Sequence, residues 1–314
     1  MYIPDFNYHK PKTLKEACSL LEKSEDAAPI AGGTDILVEI KQGLRHHNDI
    51  VSLADIKELK SIDQDTENLY IGATVTHNDV SGYHVVKESF PAIAEAALKI
   101  GTEQIRNTGT IGGNLCTGAS CCDMGPVLIA LDAKVEIVNS SKVRTVSLKD
   151  FFIFHKDTSL KKGEIMTRII VPLPKPNPQG FENPEGLTFS EGLVLTGTCF
   201  EKFGLREAAS ISVASVAVMI KLDGDTCTDA CVVTGAVAPT PKISNKANGI
   251  ITGRKISELS QGSPILKQAG EAAAEDSLPV DDIRGSAQYR RNLIKILTQR
   301  AVIKAIERAK ISGH

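Results

Sequence analysis

Residues 108–123 gather many groups able to bind an anion. They carry Gly109, Gly112, Gly113 and Gly118, the hydroxyls of Thr108, Thr110, Thr117 and Ser120, the amide of Asn114, and a closing acid, Asp123. Glycine lets the backbone turn with positive φ or approach a ligand with no Cβ in the way. Consecutive free N–H groups in such a segment form a concavity suited to phosphate or pyrophosphate. A shorter stretch of the same chemistry, Pro29-Ile-Ala-Gly-Gly-Thr-Asp-Ile36, lies upstream. A single Gly-Gly pair reads as a tight turn. Two pairs, each beside hydroxyls, read as two walls of one nucleotide cleft. Neither fits the Gly-x-x-x-x-Gly-Lys-Ser/Thr of a P-loop or the Gly-x-Gly-x-x-Gly of a Rossmann turn, so the site must be of another build.

Other chemistries find less support. Seven cysteines, an odd number, fit a reducing compartment better than a disulfide framework. Cys116, Cys121 and Cys122 cluster, but an adjacent Cys-Cys pair lacks the Cys-x-x-Cys spacing of an iron–sulfur site. There is no His-Glu-x-x-His, so no metal is expected on this chain. The 36 basic and 38 acidic residues nearly cancel at −2, giving no reason to expect nucleic acid or an anionic membrane as partner. No secretory signal opens the sequence, and no apolar run approaches the roughly 20 residues of a membrane span. The expectation is a soluble cytoplasmic protein.

The elements around the glycines follow from pattern. Thr13-Leu-Lys-Glu16 is a capping box opening a helix. A strand over 28–31 feeds the first glycine turn, a helix begins near Ile36, and a strand over 50–53 closes a β-α-β-like unit ending near residue 57. A strand over 69–73 leads to a helix opened at 76–79. A second helix over 91–100 has Pro91 in its first turn and Gly101 as its cap. The long glycine segment is expected as a loop, with Asp123 the N-cap of a helix over 124–131. Strands follow at 134–138, 144–146 and 164–171. Residues 172–184 hold five of the fourteen prolines and read as a linker. Beyond it come three strands (196–203, 213–222, 231–238), a hairpin turn at 223–225, and helices over 263–276 and 286–310. The division expected is 1–57, 58–176 and 185–314, with α+β architecture throughout.

Four segments together carry a family likeness: Ala31-Gly-Gly-Thr-Asp35, Ile71-Gly-Ala-Thr-x-Thr-His77, Arg106-Asn-x-Gly-Thr-Ile-Gly-Gly-Asn114 and Tyr289-Arg-Arg291. The chain resembles, over nearly its whole length, the FAD-binding subunit of molybdenum hydroxylases such as xanthine dehydrogenase, aerobic-type carbon monoxide dehydrogenase and nicotinate dehydrogenase. The resemblance implies two subdomains of the vanillyl-alcohol-oxidase/PCMH type clamping FAD, then a C-terminal domain of a three-stranded sheet with helices. It also implies that molybdopterin and [2Fe–2S] centres sit on separate large and small partner subunits, and that electrons pass through FAD to an acceptor such as NAD. Ile30, Ala31, Gly32, Gly33, Thr34, Asp35 and Ile36 are implied at the pyrophosphate and ribityl chain. Thr110, Gly112, Gly113, Asn114, Cys116 and Thr117 are implied on the opposite wall. Asp123 matches an acid that holds the adenosine ribose. Ile100, Ile165 and Met166 match apolar contacts to the rings, and Lys202 a cation near the flavin that raises its potential. His77 is expected as a satisfied structural histidine. Two other readings stay open at the residue level: a stand-alone FAD oxidoreductase of related fold, and a non-enzymatic nucleotide-binding module.

Overall fold

The computed structural model describes residues 3–174 and 194–311. The proline-rich stretch expected as a linker lies, from residue 175 onward, outside the described residues. Three sheets carry the architecture. The first holds Asn7–His9, Asp49–Ser52 and Ala27–Ile30 in that order, all parallel, with Ile36–Lys41 forming the crossover between the last two in sequence. Leu14–Lys23 packs on this sheet, burying Ala17, Cys18 and Leu21. Its capping box forms with one shift. Thr13 accepts from the Glu16 N–H, but the Glu16 carboxylate reaches back to the N–H of Lys12 rather than Thr13.

The second sheet is antiparallel in the order Ile62–Gln64, Asn68–Gly72, Ile165–Pro172, Lys134–Val138, Val143–Ser147. Its inner face meets the helices His77–Gly82, Pro91–Leu98 and Met124–Ala130. The last of these is buried at every position and packs on the C-terminal sheet, within the core it shares with the second.

The third sheet corrects one expectation: it has four strands, not three. Val194–Phe203, Ala214–Asp223 and Thr226–Gly235 form a long meander, and Lys242–Ile243 adds a short edge pairing with Val233 and Thr234. Two residues are too short a run to show alternation, and Pro239 and Pro241 just before them argue against a strand on pattern alone. Ala287–Ile311 crosses the back of the sheet so closely that a Cβ on Gly197 would lie 1.9 Å from the Ala305 carbonyl oxygen. One apolar core joins Leu69, Ile71, Ile93, Leu115 and Val135 to Phe200, Ala217, Met219 and Val233 of this third sheet.

Candidate functional site

The two glycine segments meet. A Cβ on Gly32 would fall 2.0 Å from the Thr108 carbonyl oxygen and 3.0 Å from the Gly109 Cα, so only glycine allows this approach. Thr117 Oγ1 lies 3.3 Å from Asp35 Oδ2, spanning the same seam further along. A hairpin, Phe152–Phe154 with Asp157–Thr158, closes one end. Its Lys156 pairs with the buried Glu39, and the Lys156 N–H bonds the Gly118 carbonyl at 2.7 Å.

The upstream segment supplies the anion chemistry. Gly33 has φ +73, which turns the chain out of the strand Ala27–Ile30 into the helix Ile36–Lys41. Among the described residues, the N–H groups of Gly32, Gly33, Thr34 and Asp35 have no protein acceptor. Four successive free donors in a turn make a concave site suited to an anion. Asp35 stands at the N-cap position of the helix without capping it, which leaves its carboxylate facing the seam.

The downstream segment differs from its expected form. Residues 111–117 are a helix, Ile111–Thr117, not a loop. Thr110 caps it by accepting from the Gly113 N–H at 3.0 Å, and Gly118 ends it at φ +61. The N–H groups of Ile111 and Gly112 are spent on the carbonyls of Val75 and Ala73, so this wall offers no run of free donors. It offers side chains and space instead. Ile111, Gly112 and Leu115 face the core and the half-buried Cys116 packs against it, while Gly113, Asn114 and Thr117 are half-buried. A Cβ on Gly113 would meet only Thr110 Oγ1, with nothing else within 4 Å.

Asn114 is oriented by a thiol. Cys122 Sγ accepts from the Gly125 N–H at 3.3 Å and lies 3.0 Å from Asn114 Oδ1, so its own S–H points at the amide oxygen. That arrangement leaves the Asn114 NH2 group free as a donor. Burial pushes the Cys116 thiol up to about 12 and raises Cys122 as well, so both stay protonated. Cys121 is half-buried and also raised by burial.

Asp123 does not cap the next helix: its backbone is already helical and its side chain makes no capping bond. Instead the carboxylate is buried against Lys202 Nζ at 2.6 Å and the hydroxyl of Ser212, both on the C-terminal side of the cleft. Burial raises its pKa, but Lys202 and Ser212 both donate to it and favour the carboxylate. Lys202 also donates to the Lys99 carbonyl at 2.9 Å, next to Ile100. Arg106 donates to the Ile100 carbonyl at 3.0 Å and pairs with Glu103. Ile100 is half-buried beside the main core.

Ile165 and Met166 are placed differently from the rest. Their side chains are 2% and 3% exposed and belong to cores, Ile165 with Ala17, Leu21 and Val51, Met166 with the second-sheet core. His77, expected to be satisfied, is not. It is buried beside Gly109, and its Nδ1 has no hydrogen-bond partner. Burial and the nearby Arg106 cation lower its pKa to about 4, so it is neutral at pH 7. Ser212, Lys99 and Cys122 are the contributors that sequence reasoning missed. Ser212 lies far from both glycine segments and sits in no motif, so no signal marked it.

Comparison with known proteins agrees with this geometry. Residues 4–174 match the family described as the FAD binding domain in molybdopterin dehydrogenase, and residues 199–305 match the carbon monoxide dehydrogenase flavoprotein C-terminal domain. The chain is 31% identical to the carbon monoxide dehydrogenase medium chain of Afipia carboxidovorans, over 97% of this chain and 98% of that protein. It is 30% identical to the glyceraldehyde dehydrogenase medium chain of Sulfolobus acidocaldarius, covering 96% and 98%. It superposes on a chain of the solved carbon monoxide dehydrogenase from Hydrogenophaga pseudoflava with a TM-score of 0.87 at 29% identity, covering 98% and 99%. No helix among the described residues is long and apolar enough to cross a membrane. Two facing glycine segments, a nest of free amides on one of them and matches along nearly the full length lead to one assignment: the chain belongs to the family of FAD-binding subunits of molybdopterin-dependent dehydrogenases.

Proposed function

We propose that this chain holds FAD across the seam between its two glycine segments and relays electrons from iron–sulfur centres on a small partner subunit to an acceptor such as NAD. Substrate oxidation then belongs to a large molybdopterin subunit. The observation that carries the reading is the run of unpartnered amides at Gly32, Gly33, Thr34 and Asp35, on a turn that meets the second glycine segment at Thr108, Gly109 and Thr117. The donor set fits the cofactor: amides and a helix turn for the diphosphate, the Asp35 carboxylate for a hydroxyl, and the free Asn114 NH2 for a further oxygen. Bound there, FAD supplies the exchange between one-electron and two-electron carriers. The chain's own residues bind and orient it. Gly32 and Gly109 let the walls approach, Thr34 and Thr117 present hydroxyls, and neutral His77 keeps a positive charge out of the interior behind Gly109.

The reading is tested on the assembly. The purified complex should contain one flavin on this chain together with iron–sulfur and molybdenum subunits. The isolated chain should bind FAD yet oxidise no organic substrate unaided. A chain that purifies free of flavin and takes none up, or one that turns over substrate alone, overturns it.

A further inference from the structure

Family resemblance sends Asp123 and Lys202 to different parts of the cofactor, the acid to the adenosine ribose and the cation to the flavin. In an extended dinucleotide those parts lie at opposite ends. The structure brings the two side chains together: Lys202 Nζ is 2.6 Å from Asp123 Oδ2, and the side chains are 7% and 6% exposed. Asp123's other oxygen accepts from Ser212, itself 1% exposed. Two buried opposite charges at hydrogen-bond distance cancel at range, and their remaining field is that of a dipole. Neither is then available as an isolated charge.

What the pair does hold is a piece of backbone. Lys202 donates to the Lys99 carbonyl, while Lys99 Nζ donates back to the Phe200 carbonyl at 3.2 Å. Arg106 donates to the next carbonyl, that of Ile100. Residues 99–101 form a tight turn, with Gly101 at φ +49, that leads into the short helix Glu103–Arg106, which runs on to the second glycine segment. Two carbonyls of the turn are thus each held by a cation, and of these two only Lys202 comes from the C-terminal sheet.

We propose that Asp123 and Lys202 act as one neutral unit, closed by Ser212, which positions the turn at residues 99–101 against the FAD cleft. Both are positioning residues, and Lys202 is not a separate tuner of the flavin. This rests on the FAD reading above. It separates from that reading because the turn is probed without cofactor.

The test compares Lys202→Met, Asp123→Asn and the double variant. In the apo chain, amide exchange at Lys99 and Ile100 should speed up in Lys202→Met, since the carbonyl anchor is lost. With FAD, each single change leaves a buried ion or acceptor unmatched and should speed cofactor release by about tenfold or more. The double variant should release FAD no faster than the worse single, because the two act as one unit. The flavin potential should fall in Lys202→Met, rise in Asp123→Asn, and return to the parent value in the double. Release effects that multiply, or a double variant whose potential equals that of Lys202→Met alone, overturn the proposal. Should Lys202→Met fail to fold, Lys202→Gln, which removes the charge, carries the release and potential comparisons, and Lys202→Ala carries the amide exchange. A parent chain that binds no FAD defeats the functional reading, while amide exchange still decides whether Lys202 fixes the turn.

Discussion

Adjacent glycines in one motif serve opposite masters. Gly112 faces inward, and a Cβ there would lie 2.6 Å from both the Cβ and the carbonyl oxygen of Ala73, on a backbone pinned by the Gly112 N–H to that same carbonyl. Gly113 faces the cleft, where a Cβ would meet only the Thr110 hydroxyl. Gly112→Ala is therefore an overpacking change and should cost about 1–3 kcal/mol of stability, read as a lower urea midpoint in the apo protein. Gly113→Val should cost the apo fold less than Gly112→Ala, because its Cβ meets only the Thr110 hydroxyl rather than backbone, while abolishing FAD retention, because its branches extend into the space the diphosphate needs. Flavin content and apo stability measured on both variants give the check. Equal effects of the two would mean that the helix Ile111–Thr117 does not present Gly113 to the ligand.

That helix also shows how far local pattern reaches. Four glycines in sixteen residues favour a loop by propensity, yet residues 111–117 are helical because their environment supplies what propensity lacks. Thr110 caps the first turn, Val75 and Ala73 accept the leading N–H groups, and Gly118 takes the left-handed position that ends it. Thr110→Ala should thus cost about 1 kcal/mol of stability and weaken FAD binding together, since the cap orders the turn carrying Gly113 and Asn114. Thermal melts with and without FAD measure both. The strands, the Pro91–Leu98 helix and the hairpin turn at Asp223 were legible because their hydrophobic period or turn chemistry is local. The meeting of the glycine segments was legible from their shared composition. The helical form of the second segment depends on a strand end some forty residues away, and the Asp123–Ser212 contact spans 89 residues. The two-residue strand Lys242–Ile243 exists only through its pairing with Val233 and Thr234. Such features are tertiary, and no window of sequence contains them.

At the scale of the whole molecule, two buried groups set an order for its response to acid. His77 is held neutral by burial and by Arg106, with its pKa lowered to about 4. The unfolded chain takes up this proton near 6.5, so the stability His77 lends is present above that pH and is lost as pH falls through about 4. Its site is behind Gly109, in the seam proposed to hold FAD. Glu95 lies elsewhere, on Pro91–Leu98, where it receives Lys304 at 2.8 Å and Arg308 at 2.9 Å from the terminal helix. Burial alone would raise its pKa, but Arg308 and Lys304 outweigh it and hold the carboxyl at about 2. Its contribution is complete above about 4.5 and is lost as pH falls through about 2. Acidification should therefore act first on the FAD wall, between about pH 6.5 and 4, and later on the contact between Pro91–Leu98 and Ala287–Ile311. Flavin release should precede loss of far-UV circular dichroism in a pH titration. His77→Phe should flatten the earlier step. Glu95→Gln should leave the earlier step in place and remove the later one, at a cost of about 2 kcal/mol at pH 7, below the roughly 3–5 kcal/mol of a fully buried pair because Glu95 retains 20% exposure. A single transition that Glu95→Gln moves as a whole would show that cofactor wall and terminal helix respond as one body.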